Sequence, residues 1–185
     1  MASLDEIERR VRDRFPEDLL AANQYRAELS LAIRRDAVHD VCRFLYDEPA
    51  LQCNFLSDLT AVDYLNMGRI PRFDVVYHLL SLEHFHRVRL KVGVAEQDIH
   101  IDSVTDIWAG ADWNEREVYD MFGIIFKGHP RLTRILTPDD WQGHPLRKDF
   151  PVGGSPSFYF KRDSDERAGE PPDLVPRLRT QDSDI

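Results

Sequence analysis

The chain has 185 residues, 42% hydrophobic and 31% charged, with 24 Lys and Arg against 33 Asp and Glu for a net charge of −9. That length and balance describe one globular core plus a tail, and exclude a disordered or membrane-spanning class. The acidic surplus argues against non-specific nucleic-acid binding. Two cysteines, Cys42 and Cys53, without a C-x-x-C or zinc spacing, are too few for a disulfide scaffold or an iron–sulfur cluster.

Ser3-Leu4-Asp5-Glu6 is a capping box, and Leu4, Ile7 and Val11 repeat at helical spacing, which predicts a helix over 4–14. The start has no signal-type apolar region and no apolar run is long enough to span a membrane, so the chain reads as soluble and cytoplasmic. The period changes to two over 26–33, with Ala27, Leu29, Leu31 and Ile33 on one face of a half-buried strand. Asp36 is placed to cap a second helix carrying Val38, Val41, Cys42 and Leu45. Residues 55–62 read as a strand, with Asp58 and Asp63 within or beside it. A turn at 66–71 leads to an antiparallel hairpin of strands 73–82 and 85–94, joined at Glu83-His84. His84 and His86 would share a strand face, without an evident third metal ligand. Helices gathered with a mainly antiparallel sheet give a two-layer α+β fold, with an extended C-terminal arm. No glycine-rich phosphate loop follows a strand, so nucleotide binding has no support.

The densest stretch runs from Asp112 to Pro151. Ser103 to Ala109 reads as a short helical turn, and Asp112 opens a helix through Phe122 that Gly123 stops. Glu115, Arg116, Glu117 and Asp120 crowd this helix, and Arg116 and Asp120 have the i,i+4 spacing of an ion pair. Its apolar residues go nearly all round, so its charges are expected to be paired in a structural network. Gly128-His129-Pro130 then turns the chain. Thr137-Pro138 caps one or two helical turns that include Trp141 and end at Gly143. His144-Pro145-Leu146-Arg147-Lys148-Asp149-Phe150-Pro151 reads as an extended arm, because each proline pushes its predecessor out of the helical region. Five Lys and Arg against two Asp between Lys127 and Lys148 make this stretch basic within an acidic chain. The division is therefore an α+β domain over 1–126, a basic docking segment over 127–151, and a tail over 152–185.

Three stretches together resemble one family: Glu115-Arg116-Glu117-x-Tyr119-Asp120-Met121-Phe122-Gly123-Ile124, then Phe126-x-Gly128-His129-Pro130, then the run from Gly143 to Pro151. They are similar to the signature of the 30-kilodalton subunit family, the C subunit of proton-pumping NADH–quinone oxidoreductase (respiratory complex I). Ser103-Val104-Thr105-x-Ile107-Trp108 and Leu59-Thr60-Ala61-Val62-Asp63-Tyr64 also match, so the resemblance covers roughly residues 1–151. It implies a peripheral-arm subunit, on the cytoplasmic face of a bacterial cell membrane, with no cofactor of its own. Its partners would be the larger D subunit and the small iron–sulfur B subunit, which together form the quinone pocket. FMN and the iron–sulfur clusters would lie on other chains. The charges of the signature would be scaffold and contact residues. The tail departs from the family pattern, and Phe158, Tyr159 and Phe160 are expected to anchor it on a partner. Two other readings stand beside this one. The first is the equivalent subunit of a membrane-bound hydrogenase or ferredoxin-dependent quinone reductase. The second is a stand-alone hydrolase or lyase using Glu115, Glu117 or Asp120 with His129 or His144.

Overall fold

Alternation sets the sheet. The computed structural model describes residues 3–151. Within them Leu29, Leu31 and Ile33 of β2 (Glu28–Ile33) stand in register with Val88, Leu90 and Val92 of β5 (Arg87–Val94). The same row continues through Phe73, Val75, Tyr77 and Leu79 of β4 (Phe73–Leu80) and Leu59, Ala61 and Asp63 of β3 (Phe55–Asp63). All are buried, so one face of the sheet is the floor of the core. The strand order is β1-β2-β5-β4-β3, with β1 (Leu19–Tyr25) antiparallel to β2 at one edge. Within this sheet only the β2–β5 pair is parallel.

The roof is helical. Helix α1 (Leu4–Arg14) starts at Ser3, whose hydroxyl accepts from the Glu6 N–H at 3.2 Å, and buries Ile7 and Val11. Helix α2 (Val38–Asp47) buries Val38, Val41, Cys42 and Leu45, as its periodicity predicts. Its cap differs: Asp36 lies in a 3-10 turn over Arg35–Ala37, and no side chain caps α2. Strand β6 (His100–Asp102), helix α3 (Ala111–Phe122) and strand β7 (Ile125–Lys127) follow, with β6 and β7 pairing in parallel as a second small sheet. The architecture is the expected α+β arrangement of helices on a mainly antiparallel sheet.

Several local expectations change. Strand β1 has no counterpart in the sequence pattern, because its turn to β2 is made by Arg26 and Ala27 at φ 51° and 61°, where glycine or asparagine would signal a hairpin. The β4–β5 connection spans 81–86, so His84 and His86 lie in a loop and not on a strand. Their rings stack at 5.9 Å, and His84 Nε2 lies 3.0 Å from the Pro49 carbonyl. Residues 138–142 form a bare turn, with the Trp141 N–H donating to Pro138 O at 3.0 Å, and no helix. The stretch 144–150 folds into consecutive turns in place of an extended arm, its donors being drawn to the end of α3. The tail at 152–185, with Phe158, Tyr159 and Phe160, lies outside the described residues. Among the described residues no helix is long and apolar enough to cross a membrane.

Candidate functional site

Helix α3 lies along β3, the edge strand opposite β1. The Asn114 side chain, with its amide turned to suit both neighbours, donates to Gly110 O at 3.0 Å and accepts from Leu59 N at 3.2 Å. The helix thereby covers a strand edge that would otherwise present unpaired backbone groups. Ala111, Glu115, Val118 and Phe122 bury one stripe, and Arg116 and Asp120 are buried on another. Glu115 accepts from the Val104 N–H at 2.7 Å through Oε1. Burial pushes its pKa up to about 7, against the bonds from Val104 and Ser103 and with the repulsion of Asp112 and Asp106.

Asp120 is fully buried and organises the chain that follows β7. Its Oδ2 accepts from the N–H groups of Ile135, Leu136 and Thr137 at 3.1, 2.8 and 2.9 Å. Its Oδ1 accepts from Arg134 Nη1 at 2.7 Å and from the Thr137 hydroxyl. Burial alone would raise its pKa, but the Thr137, Leu136 and Arg134 donors outweigh it and hold the value at about 2. The expected Arg116–Asp120 pair does not form. Arg116 reaches the same loop separately, donating from Nε to Thr133 O and from Nη2 to Thr133 Oγ1, both at 3.1 Å. Its guanidinium lies 5.1 Å from the centroid of Trp113, whose ring is 61% exposed.

The second Gly-His-Pro element closes the end of the helix. An α-helix leaves its last four carbonyls without partners inside the helix. Here the Tyr119 carbonyl takes the Gly123 N–H at 2.8 Å, and the Asp120 carbonyl takes His144 Nδ1 at 2.9 Å. The Met121 carbonyl takes the Leu146 N–H at 3.1 Å, and the Phe122 carbonyl takes Arg147 Nε at 2.6 Å. Every orphan acceptor is satisfied, and a cation sits where the helix dipole is negative. Gly123 is required twice over. Its φ is 77°, and a Cβ there would meet His144 Nε2 at 2.5 Å and Arg147 Nη2 at 2.9 Å. Gly143, at φ 87°, lets Phe150 approach to within 2.9 Å of where its Cβ would be, and Phe150 stacks on Trp141.

A third anchor ties the arm to the sheet. Asp63 is 2% exposed on the core side of β3, where a carboxylate must be paired. Arg72 grips it with Nε and Nη2 at 2.9 and 2.7 Å, and the backbone N–H groups of Leu65 and Lys148 complete its shell at 2.9 Å each. Burial raises the Asp63 pKa, but these donors win and bring it to about 2. Arg72 also holds Glu96 at 2.5 Å and Asp149 at 2.9 Å. The Arg72 bond holds the Asp149 pKa below its ordinary value.

The remaining expected residues are more peripheral. Gly128, at φ 84°, turns the chain into His129 and the exposed Pro130. His129 Nε2 lies 3.1 Å from the Asp112 carbonyl, while Nδ1 accepts from the Arg131 N–H at 3.0 Å, which places the ring hydrogen on Nε2. Glu117 is exposed and bonds to no other described residue. Pro145 is half-buried and Pro151 exposed, and the Lys148 side chain faces solvent. Arg147, a scaffold or contact residue by the resemblance, is engaged within the fold. Asp63 and Arg72 were missed as anchors; the available signal was the parity of Asp63 with Leu59 and Ala61, which puts a charge on the inner face.

The carboxylates and histidines therefore do not converge on a reacting position. Asp120 is saturated by donors, Glu115 faces the core, Glu117 faces water, and His129 and His144 are each bound to a helix carbonyl. What the residues build is a strap locked beneath α3, with Trp113, Leu136 and Leu146 exposed around it at 61, 61 and 51%.

The profile of the family described as respiratory-chain NADH dehydrogenase, 30 Kd subunit, matches residues 31–156. The C subunit of NADH-quinone oxidoreductase from Roseiflexus castenholzii is 51% identical over 155 residues, covering 83% of this chain and 88% of that one. Its counterpart from Citrifermentans bemidjiense is 50% identical over 145 residues, covering 78% of this chain and 88% of that one. A solved trypsin-resistant fragment (1–134) of Nqo5 superposes with a TM-score of 0.60 at 35% identity, covering 68% of this chain and 98% of the fragment. A chain of an archaeal membrane-bound sulfane sulfur reductase shares the fold, with a TM-score of 0.67 at 24% identity over 80% of this chain and 85% of that one. With its signature residues placed as structural anchors and this similarity along most of its length, the chain belongs to the 30 kDa subunit family of the respiratory-chain NADH dehydrogenase, the C subunits of NADH–quinone oxidoreductase.

Proposed function

We propose that the chain is a non-catalytic scaffold of the peripheral arm. It packs against the quinone-site D subunit and neighbours the small iron–sulfur B subunit, while electrons pass from NADH to quinone through other chains. The observation that carries this reading is the internal saturation of the strap. Asp120, Arg134, His144 and Arg147 are committed to holding 127–151 against α3, and Asp63 holds it to β3, which leaves Trp113, Leu136 and Leu146 exposed. An exposed tryptophan against an arginine, with exposed leucines on the strap, is the chemistry of an interface anchor. FMN, the iron–sulfur clusters and quinone then belong to partner subunits. Cys42 and Cys53 are both wholly buried, with burial pushing both thiols up, Cys53 to about 12, which suits packing and not cluster ligation. The chain sits peripherally on the cytoplasmic face of the cell membrane through its complex, and the tail at 152–185 adds a second grip on the quinone-site subunit.

The test is a full-chain variant with Trp113→Ala and Leu136→Ala. Because both side chains are largely exposed, the isolated variant is expected to melt close to the parent, while binding to the purified quinone-site subunit weakens by at least tenfold. Unchanged binding, with an unchanged fold, would remove this surface from the interface and the scaffold reading with it.

A further inference from the structure

Glu115 stands apart from the strap and is not used by the role proposed above. It is wholly buried on the core side of α3, and its Oε1 takes the Val104 N–H at 2.7 Å while its Oε2 has no hydrogen-bond partner among the described residues. The charged groups that act on it most strongly are carboxylates. From α3 itself comes Asp112, and from the 103–108 turn come Asp106 and the Ser103 hydroxyl. From α2 and β4 come the Cys42 thiol and the Tyr77 hydroxyl, both buried and both neutral. Of the two neighbouring carboxylates, Asp106 pairs with Arg43 at 2.7 Å, while Asp112 Oδ1 lies 3.1 Å from His129 Nε2 without a hydrogen bond among the described residues. The Tyr77 hydroxyl is itself a buried polar atom without a hydrogen-bond partner among the described residues. A wholly buried carboxylate with one close backbone donor, the Ser103 hydroxyl beside it and two like charges acting on it is unfavourable ionised and acceptable neutral.

We infer that Glu115 is carried in the folded chain as a neutral carboxylic acid, making it a buried proton-binding site that couples the seating of α3 on the 103–108 turn to pH. The direction follows from linkage. In the unfolded chain the carboxyl ionises near its ordinary 4.5, and in the fold burial holds it neutral until about 7. Below 4.5 both states bear the proton and stability is unaffected. Between the two values the fold alone keeps it, so stability falls as pH rises, and above 7 the full loss is reached.

The experiment uses the full chain labelled with carbon-13 at the glutamate side-chain carboxyl, so that aspartates, including the buried Asp74, stay silent. One glutamate resonance is expected to titrate near neutrality. The Val104 amide, bonded to Oε1, is expected to shift with the same midpoint, which assigns the group without any mutation. In Glu115→Gln the resonance disappears. The unfolding equilibrium constant of the parent, taken relative to Glu115→Gln, should then rise about 70-fold between roughly pH 5 and 8. If no glutamate resonance titrates near neutrality, or the Val104 amide shift is flat through neutrality, the proposal is wrong. The labelled parent alone decides this should Glu115→Gln fail to fold.

Discussion

Asp120 pairs with Arg134, fourteen residues downstream, at 2.7 Å, and leaves Arg116 on its own helix unpaired to it. The helix therefore commits its buried charge to fixing the next segment of chain. Removing one partner of such a pair costs about 3–5 kcal/mol, because the other is left buried without compensation. Asp120→Ala also orphans the N–H groups of Ile135, Leu136 and Thr137 and should fall at the upper end. Urea unfolding of the full chain measures it. A double cycle with Arg134→Met should show strong coupling.

Arg147 and Lys148 are adjacent cations with different duties. Arg147 Nε donates to the last carbonyl of α3, so Arg147→Glu replaces a bond and a favourable charge at the helix end with repulsion. A loss of about 1–3 kcal/mol in the isolated chain is expected. Lys148 gives only its backbone N–H to Asp63, and its side chain is exposed, so Lys148→Glu should leave the melting temperature unchanged. Under the proposed scaffold role, its effect would be confined to assembly with a partner. Melting of both variants separates the two.

Gly123→Ala combines a left-handed backbone with a clash against His144 and Arg147. The cost should exceed about 1 kcal/mol, the usual penalty for a side chain at positive φ. The strap should loosen with it, read as faster proteolysis within 143–151. Gly110→Ala, which meets nothing within 4 Å, is the control and should be near neutral.

Acid should release the strap before the core. Asp63 and Asp120 have folded pKa values of about 2, below the ordinary 3.8, so each favours the fold while ionised. That contribution is complete above about pH 5, is lost as pH falls through 2, and amounts to about 2 kcal/mol for each group. The Asp63→Asn chain should be less stable than the parent at neutral pH and should converge on it near pH 2, as followed by urea midpoints.

Much of the sheet and helix layout was legible because burial imposes period on the residues. Leu29, Leu31 and Ile33 announce β2, and Val38, Val41, Cys42 and Leu45 announce α2. Strand β1 was not legible, since it is an edge strand whose residues are largely exposed and whose turn uses Arg26 and Ala27. The β6–β7 pair joins three-residue strands from distant parts of the chain, which no local pattern encodes. Within the site, the glycine stop of α3 could be read from one residue, whereas the Arg116–Asp120 pairing could not be settled, because i,i+4 spacing knows nothing of Arg134. The capping of α3 by His144, Leu146 and Arg147 needs the chain to return in three dimensions. The motif Gly-His-Pro-Leu-Arg names the residues and not what they touch.

The most direct test of the scaffold role is purification of the native membrane complex through a tag on this chain. The quinone-site and small iron–sulfur subunits are expected to co-purify with it, in a complex that reduces quinone with NADH and whose flavin and iron–sulfur signals reside on other chains. Recovery of the chain without those subunits, carrying a catalytic activity of its own, would contradict the scaffold role.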